Sequence, residues 1–306
     1  MKRVAVLRGG PSAEYDVSML SGNAVLRALA ESNYPHRDIT ITKSGDWLSE
    51  GKKLTQDQAL QGIDVVFIAL HGAYGEDGQI QRVLERRNIP FTGSRALASG
   101  IAFNKELTKH TLRPHKLNMA KHRRVNKTEQ STLKDEVAQI IADLGTEVFV
   151  KPLLNRSSPK TGSAKDSESL LQTLEELLDL YDSLLVEEFL TGTQVAVGVL
   201  GDYRGDSLYT LPAVEYSNKR DVDSVPGRYS PEIKGELSRI ARLAHTEANC
   251  LQYSLSNFIV VEGTVYFSSL KSHPDITEDS LFSQAADAIG LDHHDLILHL
   301  INTAGN

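Results

Sequence analysis

The first hundred residues alternate short apolar runs with glycine turns and amphipathic stretches, and this alternation constrains the fold more than any other feature of the chain. Residues 4–7 form an apolar run that is followed by two glycines and then by helical spacing. A second apolar run, residues 65–70, also leads into a glycine turn and helical spacing, and a further short strand is predicted at residues 89–92. Strand, turn and helix in this order are typical of parallel α/β units. We therefore predict a small parallel α/β domain over residues 1–100.

The sequence after this domain changes character and predicts two further domains. Helical spacing at residues 133–144 and a strand ended by proline at residues 148–152 indicate a mixed domain over residues 101–190. The last segment, residues 191–306, alternates apolar and polar residues as antiparallel strands do, and it carries one long helical pattern at residues 232–248. The predicted class is therefore α/β followed by α+β.

Composition excludes several classes of protein. The 306 residues include 33 basic and 40 acidic side chains, so a formal charge of -7 makes nucleic acid an unlikely main partner. A single cysteine, Cys250, excludes a disulfide framework and a cysteine-based zinc site. No apolar run reaches the roughly 18 residues of a membrane span, so we expect no membrane insertion and a cytoplasmic location.

A glycine turn joins the first predicted strand to the first predicted helix. It reads RGGPSAE at residues 8–14, and it exposes backbone N–H groups where a helix dipole favours an anion. The spacing of its glycines matches neither the dinucleotide fingerprint nor the P-loop. A purely structural turn therefore stays open as the alternative.

A second polar turn, HGAYGEDG, follows the buried strand at residues 65–70. It lies at the carboxyl end of that strand, the edge where open α/β sheets bind ligands. The alternative is that Glu76 and Asp77 only cap the helix that begins near Gln79. Two lysines, Lys105 and Lys151, are similarly open to two interpretations, as phosphate-binding point charges or as solvated surface residues.

Eight motifs follow one another along nearly the whole chain. They read RGGPSAEYDVSMLSG, ALHGAYGEDG, IPFTGS, NKELTK, VFVKP, LLVEEFLTG, GVLG and TLPAVE. Their order and spacing resemble those of the D-alanine:D-alanine ligases, a family of the ATP-grasp superfamily. The resemblance implies an ATP-grasp fold preceded by a Rossmann-like parallel-sheet domain. It also implies the ATP- and Mg²⁺-dependent joining of two D-alanines through an acyl-phosphate, for peptidoglycan precursors, by a homodimer.

The resemblance assigns roles to individual residues. Glu14 would hold the ammonium of the first D-alanine through a network with His71, and Ser280 and Leu281 match the segment that holds the carboxylate of the second. Ser157 matches a catalytic position in the loop that covers the phosphates. The residues matched to the ATP site are Lys105, Lys151, Ser158, Glu187, Glu188, Phe189, Leu190 and Gln194.

The carboxyl-terminal third departs from the family pattern where the metal is expected. The family motif SRxDF, with its phosphate-binding arginine and metal-binding aspartate, reads SLSNF here and ends at Phe258. The metal ligands of ExNxxPGxT are replaced by Ser269 and Lys271, and the first aspartate is replaced by Asn257. Because Mg²⁺ prefers hard and anionic oxygen ligands, we predict that the expected site cannot form. Lys271 could place its own cation there, which predicts nucleotide binding with little magnesium.

Other departures affect the ligand loops. The phosphate loop, expected as GSSxG, reads RSSPK at residues 156–160, and proline removes an N–H donor. Gln194 stands in place of a ribose-binding acid, and Asp275 in place of a glycine that receives the second substrate. The stretch at residues 215–226 is shorter than the family's lid, and Tyr216 lies too close to its strand to replace the lid tyrosine.

Two classes of function follow from this mixture. The first is a D-alanine:D-alanine ligase with altered metal use or low activity. The second is a non-catalytic protein that binds a D-amino acid or a nucleotide and retains the pocket of Glu14 and His71. Intact motifs in the first domain beside altered motifs in the third favour the second on chemical grounds, so we predict that ligase activity is absent or strongly reduced.

Overall fold

The computed structural model describes residues 1–127, 130–154, 160–218 and 221–305. The amino-terminal sheet contains β1 (Val4–Gly9), β2 (His36–Ile41), β3 (Trp47–Ser49), β4 (Lys52–Leu54) and β5 (Val65–Ile68). Its strand order is β4-β3-β2-β1-β5. Strand β1 lies parallel to β2 and β5, which confirms the predicted α/β beginning, whereas β3 and β4 pair antiparallel at the edge.

Both faces of this sheet are buried, which explains its unbroken apolar runs. Its helices are α1 (Tyr15–Glu31), α2 (Gln56–Leu60) and α3 (Gln79–Glu85). Alternate side chains of β1 point to opposite faces, so Val6 packs on the side of α1 and Leu7 on the side of α2 and α3. The strand predicted at residues 89–92 is wrong: only Phe91 forms a bridge to Val66, because Pro90 has no N–H for a continuous ladder.

The central sheet is antiparallel and is covered by two helices. Its strands are β6 (His122–Asn126), β7 (Val148–Pro152), β8 (Gly162–Ala164) and β9 (Ser183–Glu188), in the order β6-β9-β7-β8. The helices that cover it are α6 (Gln130–Leu144) and α7 (Ser167–Leu178). Two earlier helices, α4 (Ala96–Phe103) and α5 (Lys105–Leu112), pack instead on the third sheet, where Leu112 joins a core with Leu237 and Phe267.

The third sheet is antiparallel, as the sequence predicts. Its strands are β10 (Thr193–Tyr203), β11 (Asp206–Thr210), β12 (Val214–Asn218), β13 (Asp221–Ser224), β14 (Tyr253–Val261) and β15 (Thr264–Lys271). The order is β13-β12-β10-β14-β15, with β11 paired to β10. The alternation of apolar and polar residues over 209–216 predicts a single strand, but the structure contains two, because Pro212 separates β11 from β12.

The third sheet also has both faces covered. One face carries α8 (Pro231–Glu247), and the other carries α9 (Leu281–Asp287) and α10 (His293–Thr303). Residues of α9 and α10 share one core with α1 and β1, so the first and third sheets are joined through a common apolar layer. None of the helices in the described part of the chain combines the length and apolar character that crossing a membrane would need.

Candidate active site

Two loops of the first sheet meet at the carboxyl ends of β1 and β5. The Ser12 hydroxyl donates to the His71 carbonyl at 2.6 Å, and the Glu14 N–H donates to the Ser12 hydroxyl at 3.2 Å. Gly72 has a φ of +71°, and a Cβ there would lie 3.1 Å from the Ser12 side chain. Both loops of the sequence prediction therefore form one polar pocket, in which Glu14 and His71 are neighbours.

His71 is the buried centre of this pocket. Its Nε2 lies 2.8 Å from the Ser21 hydroxyl and 3.9 Å from Asp275 Oδ1, and its Nδ1 lies 3.6 Å from Glu76 Oε1. Burial on its own lowers the pKa of His71, but the hydrogen bond to Glu76 and the negative charges of Asp275, Glu76 and Glu14 raise that pKa above its usual value. The surrounding carboxylates therefore favour the protonated form of the imidazole.

Glu76 is part of the pocket, so the prediction that it caps the next helix is wrong. It is buried, and it accepts the Gly72 N–H at 3.0 Å. Burial raises the pKa of Glu76, but the hydrogen bond from His71 and the positive charges of Lys271 and His71 lower it overall. Asp77 lies just before the N-cap residue Gly78, and its carboxylate accepts the N–H of Gln79 at 3.0 Å.

We expect Asp275→Asn to lower the pKa of His71. The substitution keeps the side-chain shape and removes one of the negative charges that favour the imidazolium. Titration of the histidine ring protons by NMR measures this pKa directly. His245 is an internal control, because it contacts Ser254 and burial alone lowers its pKa to about 4. An unchanged pKa of His71 would contradict the electrostatic contact with Asp275.

The two lysines predicted to bind phosphate are both buried, but they have different partners. Lys105 Nζ donates to the carbonyls of Pro152 at 2.9 Å and Leu154 at 3.0 Å, at the end of β7. Lys151 Nζ lies 2.6 Å from Glu187 Oε2. The structure therefore places both ammonium groups near the end of β7 in the central sheet.

Glu187 lies between two lysines, and one of them is absent from the sequence prediction. Lys109 Nζ is 2.7 Å from Glu187 Oε1 and donates to the Ala120 carbonyl at 3.2 Å. Burial raises the pKa of Glu187, but the positive charges of Lys151 and Lys109 outweigh it and lower the pKa to about 2. The signal for Lys109 was its spacing of four residues from Lys105, which puts both on one face of α5.

The segment that follows Glu187 leaves the sheet and becomes exposed. Glu188 ends β9 and accepts the Lys121 N–H at 2.9 Å, while Phe189 has 39% of its surface exposed. Leu190 is half-buried, and Gln194 is exposed on β10. An exposed aromatic side chain beside buried charges is a surface on which a flat ring can lie.

The residues at the expected metal position bind one another. Asn257 on β14 is paired in register with Ser269 on β15, and its amide Nδ2 donates to the Ser269 hydroxyl at 3.1 Å. The Tyr216 hydroxyl donates to Asn257 Oδ1 at 3.1 Å. Burial raises the pKa of Tyr216 to about 12, so it stays protonated. These three side chains form a neutral hydrogen-bonded row across three strands.

Two neighbours of this row differ in environment. Lys271 is half-buried two residues after Ser269, and its charge acts on Glu76 of the first-domain pocket. Leu255 is 6% exposed and packs in the core that the first and third sheets share. An arginine at this position would place a guanidinium in an apolar cluster. The single substitution Leu255→Arg is therefore a poor test of the phosphate contact that the family motif predicts for this position.

The remaining predicted residues fall in three places. Ser280 is the N-cap of α9, where its hydroxyl accepts the Ser283 N–H at 3.2 Å, and Leu281 is buried in the first turn. Ser157 and Ser158 lie outside the described residues. The short stretch predicted to lack a lid contains the hairpin β12–β13, in which Glu215 pairs with Ser224.

Comparison with known proteins assigns the chain to a family. Residues 3–61 and 49–94 match the family described as D-ala D-ala ligase N-terminus, and residues 112–302 match D-ala D-ala ligase C-terminus. The chain belongs to the D-alanine–D-alanine ligase family. It is 31% identical to the D-alanine–D-alanine ligase of Geotalea uraniireducens (99% of this chain, 96% of the relative). It is 33% identical to that of Geobacter sulfurreducens (99% and 94%).

Solved structures of this family share the fold. The D-alanine–D-alanine ligase of Coxiella burnetii superposes with a TM-score of 0.87 at 23% identity, covering 99% of this chain and 95% of that one. The Bacillus anthracis ligase, solved in complex with ATP, gives a TM-score of 0.80 at 24% identity, covering 99% and 96%. The predicted ATP-grasp fold with its amino-terminal α/β domain is therefore confirmed.

The side chains at residues 257–271 do not fit the Mg²⁺ ions that this family implies. Asn257 has its oxygen and its amide hydrogen committed to Tyr216 and Ser269, and Lys271 brings a positive charge. Magnesium needs oxygen ligands that offset its charge, and none of these three positions supplies a carboxylate. In the described part of the chain, the groups of acidic and histidine side chains close enough to share an ion lie elsewhere.

Proposed function

We propose that this member of the family binds an amino acid in the pocket of Glu14 and His71 and an adenine nucleotide near Lys105 and Lys151, and that its ATP-dependent joining of two D-alanines is absent or strongly reduced. The observation that carries the proposal is the neutral row formed by Tyr216, Asn257 and Ser269 at the metal position. Family membership supports the ligands, and this row supports the loss of turnover.

The amino-acid site is supported by the charges around His71. Glu14 and Glu76 offer carboxylates to an ammonium group, and the imidazolium of His71 orients them. Asp275 Oδ1 lies 3.9 Å from His71 Nε2, so Asp275 adds a third negative charge to this pocket from the third domain. The pocket therefore favours the ammonium end of a ligand, and D-alanine is the amino acid that the relatives' names indicate.

The nucleotide site is supported by buried cations at the end of the central sheet. Lys105 and Lys151 would hold phosphate oxygens, and Phe189, two residues after Glu187, offers an exposed ring. Bound ATP would supply the phosphoryl group that activates a carboxylate. The Bacillus anthracis relative is described in complex with ATP, which favours this ligand.

Turnover depends on groups that neutralise charge as it develops on the phosphates. Removal of one such preorganised group commonly costs about 3 to 4 kcal/mol of transition-state stabilisation. Here carboxylates are missing at two positions, an arginine is replaced by a core leucine, and an ammonium is added at Lys271. The losses of the carboxylates and the arginine are not additive, but they act in the same direction and lower the rate.

An active ligase with altered metal use is the second candidate. Matches to D-alanine–D-alanine ligases over 99% of this chain and 96% and 94% of the relatives favour it. Lys271 would then provide part of the charge that a metal ion provides elsewhere. The rate of dipeptide formation distinguishes the two candidates.

We expect ADP to bind with nearly the same affinity in excess magnesium and in EDTA. Calorimetric titration of the purified full chain measures both dissociation constants, and a relative such as the Geobacter sulfurreducens enzyme is the control. If affinity in EDTA falls by more than about tenfold, a difference of about 1.4 kcal/mol, the metal contributes to binding and the proposal is wrong. Absence of ADP binding in both conditions would remove the nucleotide from the proposed function.

Family membership also supports proposals for the domain boundaries, the oligomeric state and the location of the protein. We propose a division into residues 1–100, 101–190 and 191–306, a homodimer, and a cytoplasmic location, all on the basis of the family. Sedimentation equilibrium tests the dimer, and limited proteolysis tests the two boundaries. A single monomeric species over a wide concentration range would contradict the dimer.

A further inference from the structure

Three buried charges at the end of the central sheet do not cancel. Lys109 and Lys151 lie on opposite oxygens of the Glu187 carboxylate, at 2.7 Å and 2.6 Å. Their side chains are 2% and 8% exposed, and that of Glu187 is 8% exposed. One carboxylate therefore faces two ammonium groups, and the triad of Lys109, Glu187 and Lys151 carries one net positive charge.

Neighbouring groups leave this excess charge in place. His122 is paired in register with Glu187, and burial together with the charge of Lys109 lowers its pKa, so the imidazole is neutral near pH 7. The half-buried carboxylate of Glu188 also acts on Lys109, but more weakly than Glu187 and Lys151 do, so it offsets only part of the excess charge. Lys105 is held by two backbone carbonyls. The triad is therefore a site with a net attraction for anions.

Lys109 determines whether Glu187 keeps a counter-charge when Lys151 turns toward an anion. If Lys151 and Glu187 were alone, this movement would leave a buried carboxylate without a counter-charge, which is strongly unfavourable. Lys109 keeps Glu187 paired from the other side, and it is itself fixed by the Ala120 carbonyl at 3.2 Å. The ammonium of Lys151 is then available to a ligand at little electrostatic cost.

We propose that Lys109 is a positioning residue that neutralises Glu187 and so releases Lys151 to bind a polyphosphate. This inference rests on the proposed nucleotide site and assigns its anion affinity to a residue that does not touch the ligand. It differs from a structural role, in which Lys109 would only tie α5 to β9. A structural defect would weaken all ligands, whereas loss of the counter-charge weakens anionic ligands alone.

Inorganic tripolyphosphate and adenosine distinguish the positioning role from the structural one. Tripolyphosphate has the phosphate charges of a nucleotide without its base and sugar, and adenosine has the base and sugar without the phosphates. We expect Lys109→Met to weaken tripolyphosphate binding by at least about tenfold, as loss of a unit charge in a poorly solvated site should, and to change adenosine binding by less than about twofold. Lys109→Arg should retain the wild-type affinity for tripolyphosphate. Lys134→Met, the same change on the exposed face of α6, is the matched control and should have no effect.

A double substitution gives the sharpest test. In Lys109→Met with Glu187→Gln, the carboxylate that occupies Lys151 is gone, so tripolyphosphate affinity should return to within about threefold of wild type. Calorimetry on the full chain measures each affinity, and circular dichroism checks that each protein is folded. Recovery in the double variant would also show that a weak single variant was not merely misfolded.

Several results would overturn the inference. The first is an equal tripolyphosphate affinity of wild type and Lys109→Met, which includes the case that neither binds. The second is a double variant that binds tripolyphosphate more weakly than Lys109→Met does. If adenosine and ADP fail to bind any of the proteins while the tripolyphosphate pattern holds, the nucleotide part of the proposed function is wrong and the role of Lys109 stands. If ADP binds wild type and Lys109→Met equally, the nucleotide site stands and the role of Lys109 is wrong.

Discussion

Glu187→Gln is expected to lower the free energy of unfolding by about 3 to 5 kcal/mol at pH 7, because it leaves Lys109 and Lys151 buried next to each other without a counter-charge. Urea unfolding followed by circular dichroism measures this difference. Glu176→Gln is the matched control, since Glu176 is exposed on α7 and its loss should change stability by less than about 0.5 kcal/mol.

The effect of Glu187→Gln should depend on pH with a defined sign. The pKa of Glu187 is lowered to about 2 in the folded chain from an ordinary value of 4.5, so its ionised form stabilises the fold. This contribution, roughly 3 kcal/mol, is fully present above pH 4.5 and is lost as the pH falls toward 2. A difference between wild type and variant that stays constant from pH 7 to pH 3 would contradict the ion pairs.

Restoring carboxylates at the metal position is expected to create a magnesium dependence that the wild type lacks. The variant combines Asn257→Asp, Ser269→Glu and Lys271→Asn and leaves the core residue Leu255 unchanged. Residues 257 and 269 are register partners, so two carboxylates there repel each other in the absence of a cation. The variant should therefore be less stable than wild type in EDTA, and Mg²⁺ should reverse the loss.

The size of this reversal follows from binding linkage. An ion at about a hundred times its dissociation constant stabilises the folded chain by about 2.7 kcal/mol, which corresponds to about 5 °C or more in melting temperature. Thermal melts of both proteins in magnesium chloride and in sodium chloride of equal ionic strength measure it. An equal shift for wild type would show that residues at this position bind the metal without carboxylates.

The elements that the sequence predicts well are those whose two faces are both buried. Residues 4–7 and 65–70 read as unbroken apolar runs because alternate side chains pack on opposite layers, and they contain the strands β1, inside the sheet, and β5, at its end. The two mistaken strands share one cause. Pro90 and Pro212 lie within apolar runs that resemble strands. Because proline has no N–H, neither residue can donate a hydrogen bond to a neighbouring strand.

The candidate site could be predicted only in part. Its loops follow strand ends, so Glu14 and His71 could be placed near each other from the order of the elements. The contact between His71 and Asp275 joins two domains, and no local spacing indicates it. Lys109 was missed for a similar reason, because its partner Glu187 lies 78 positions away, on a strand that only the folded chain brings to α5.

The replaced metal ligands show the same limit. Their identities were visible in the sequence, and an amide, a hydroxyl and an ammonium predicted a poor magnesium site. The sequence did not reveal that Asn257 binds both Tyr216 and Ser269, because this depends on the register of four antiparallel strands, β12, β10, β14 and β15. At the positions where the family motif predicts metal ligands, the fold contains a satisfied hydrogen-bonded row.

Incubation of the purified chain with ATP, Mg²⁺ and D-alanine, with inorganic phosphate and dipeptide quantified together, tests the central claim most directly. The Geobacter sulfurreducens relative, assayed in parallel, sets the scale for an active family member. The neutral row at residues 216, 257 and 269 predicts that both products stay at the level of a reaction without protein. Phosphate and dipeptide formed in equal amounts, at a rate near that of the relative, would contradict it.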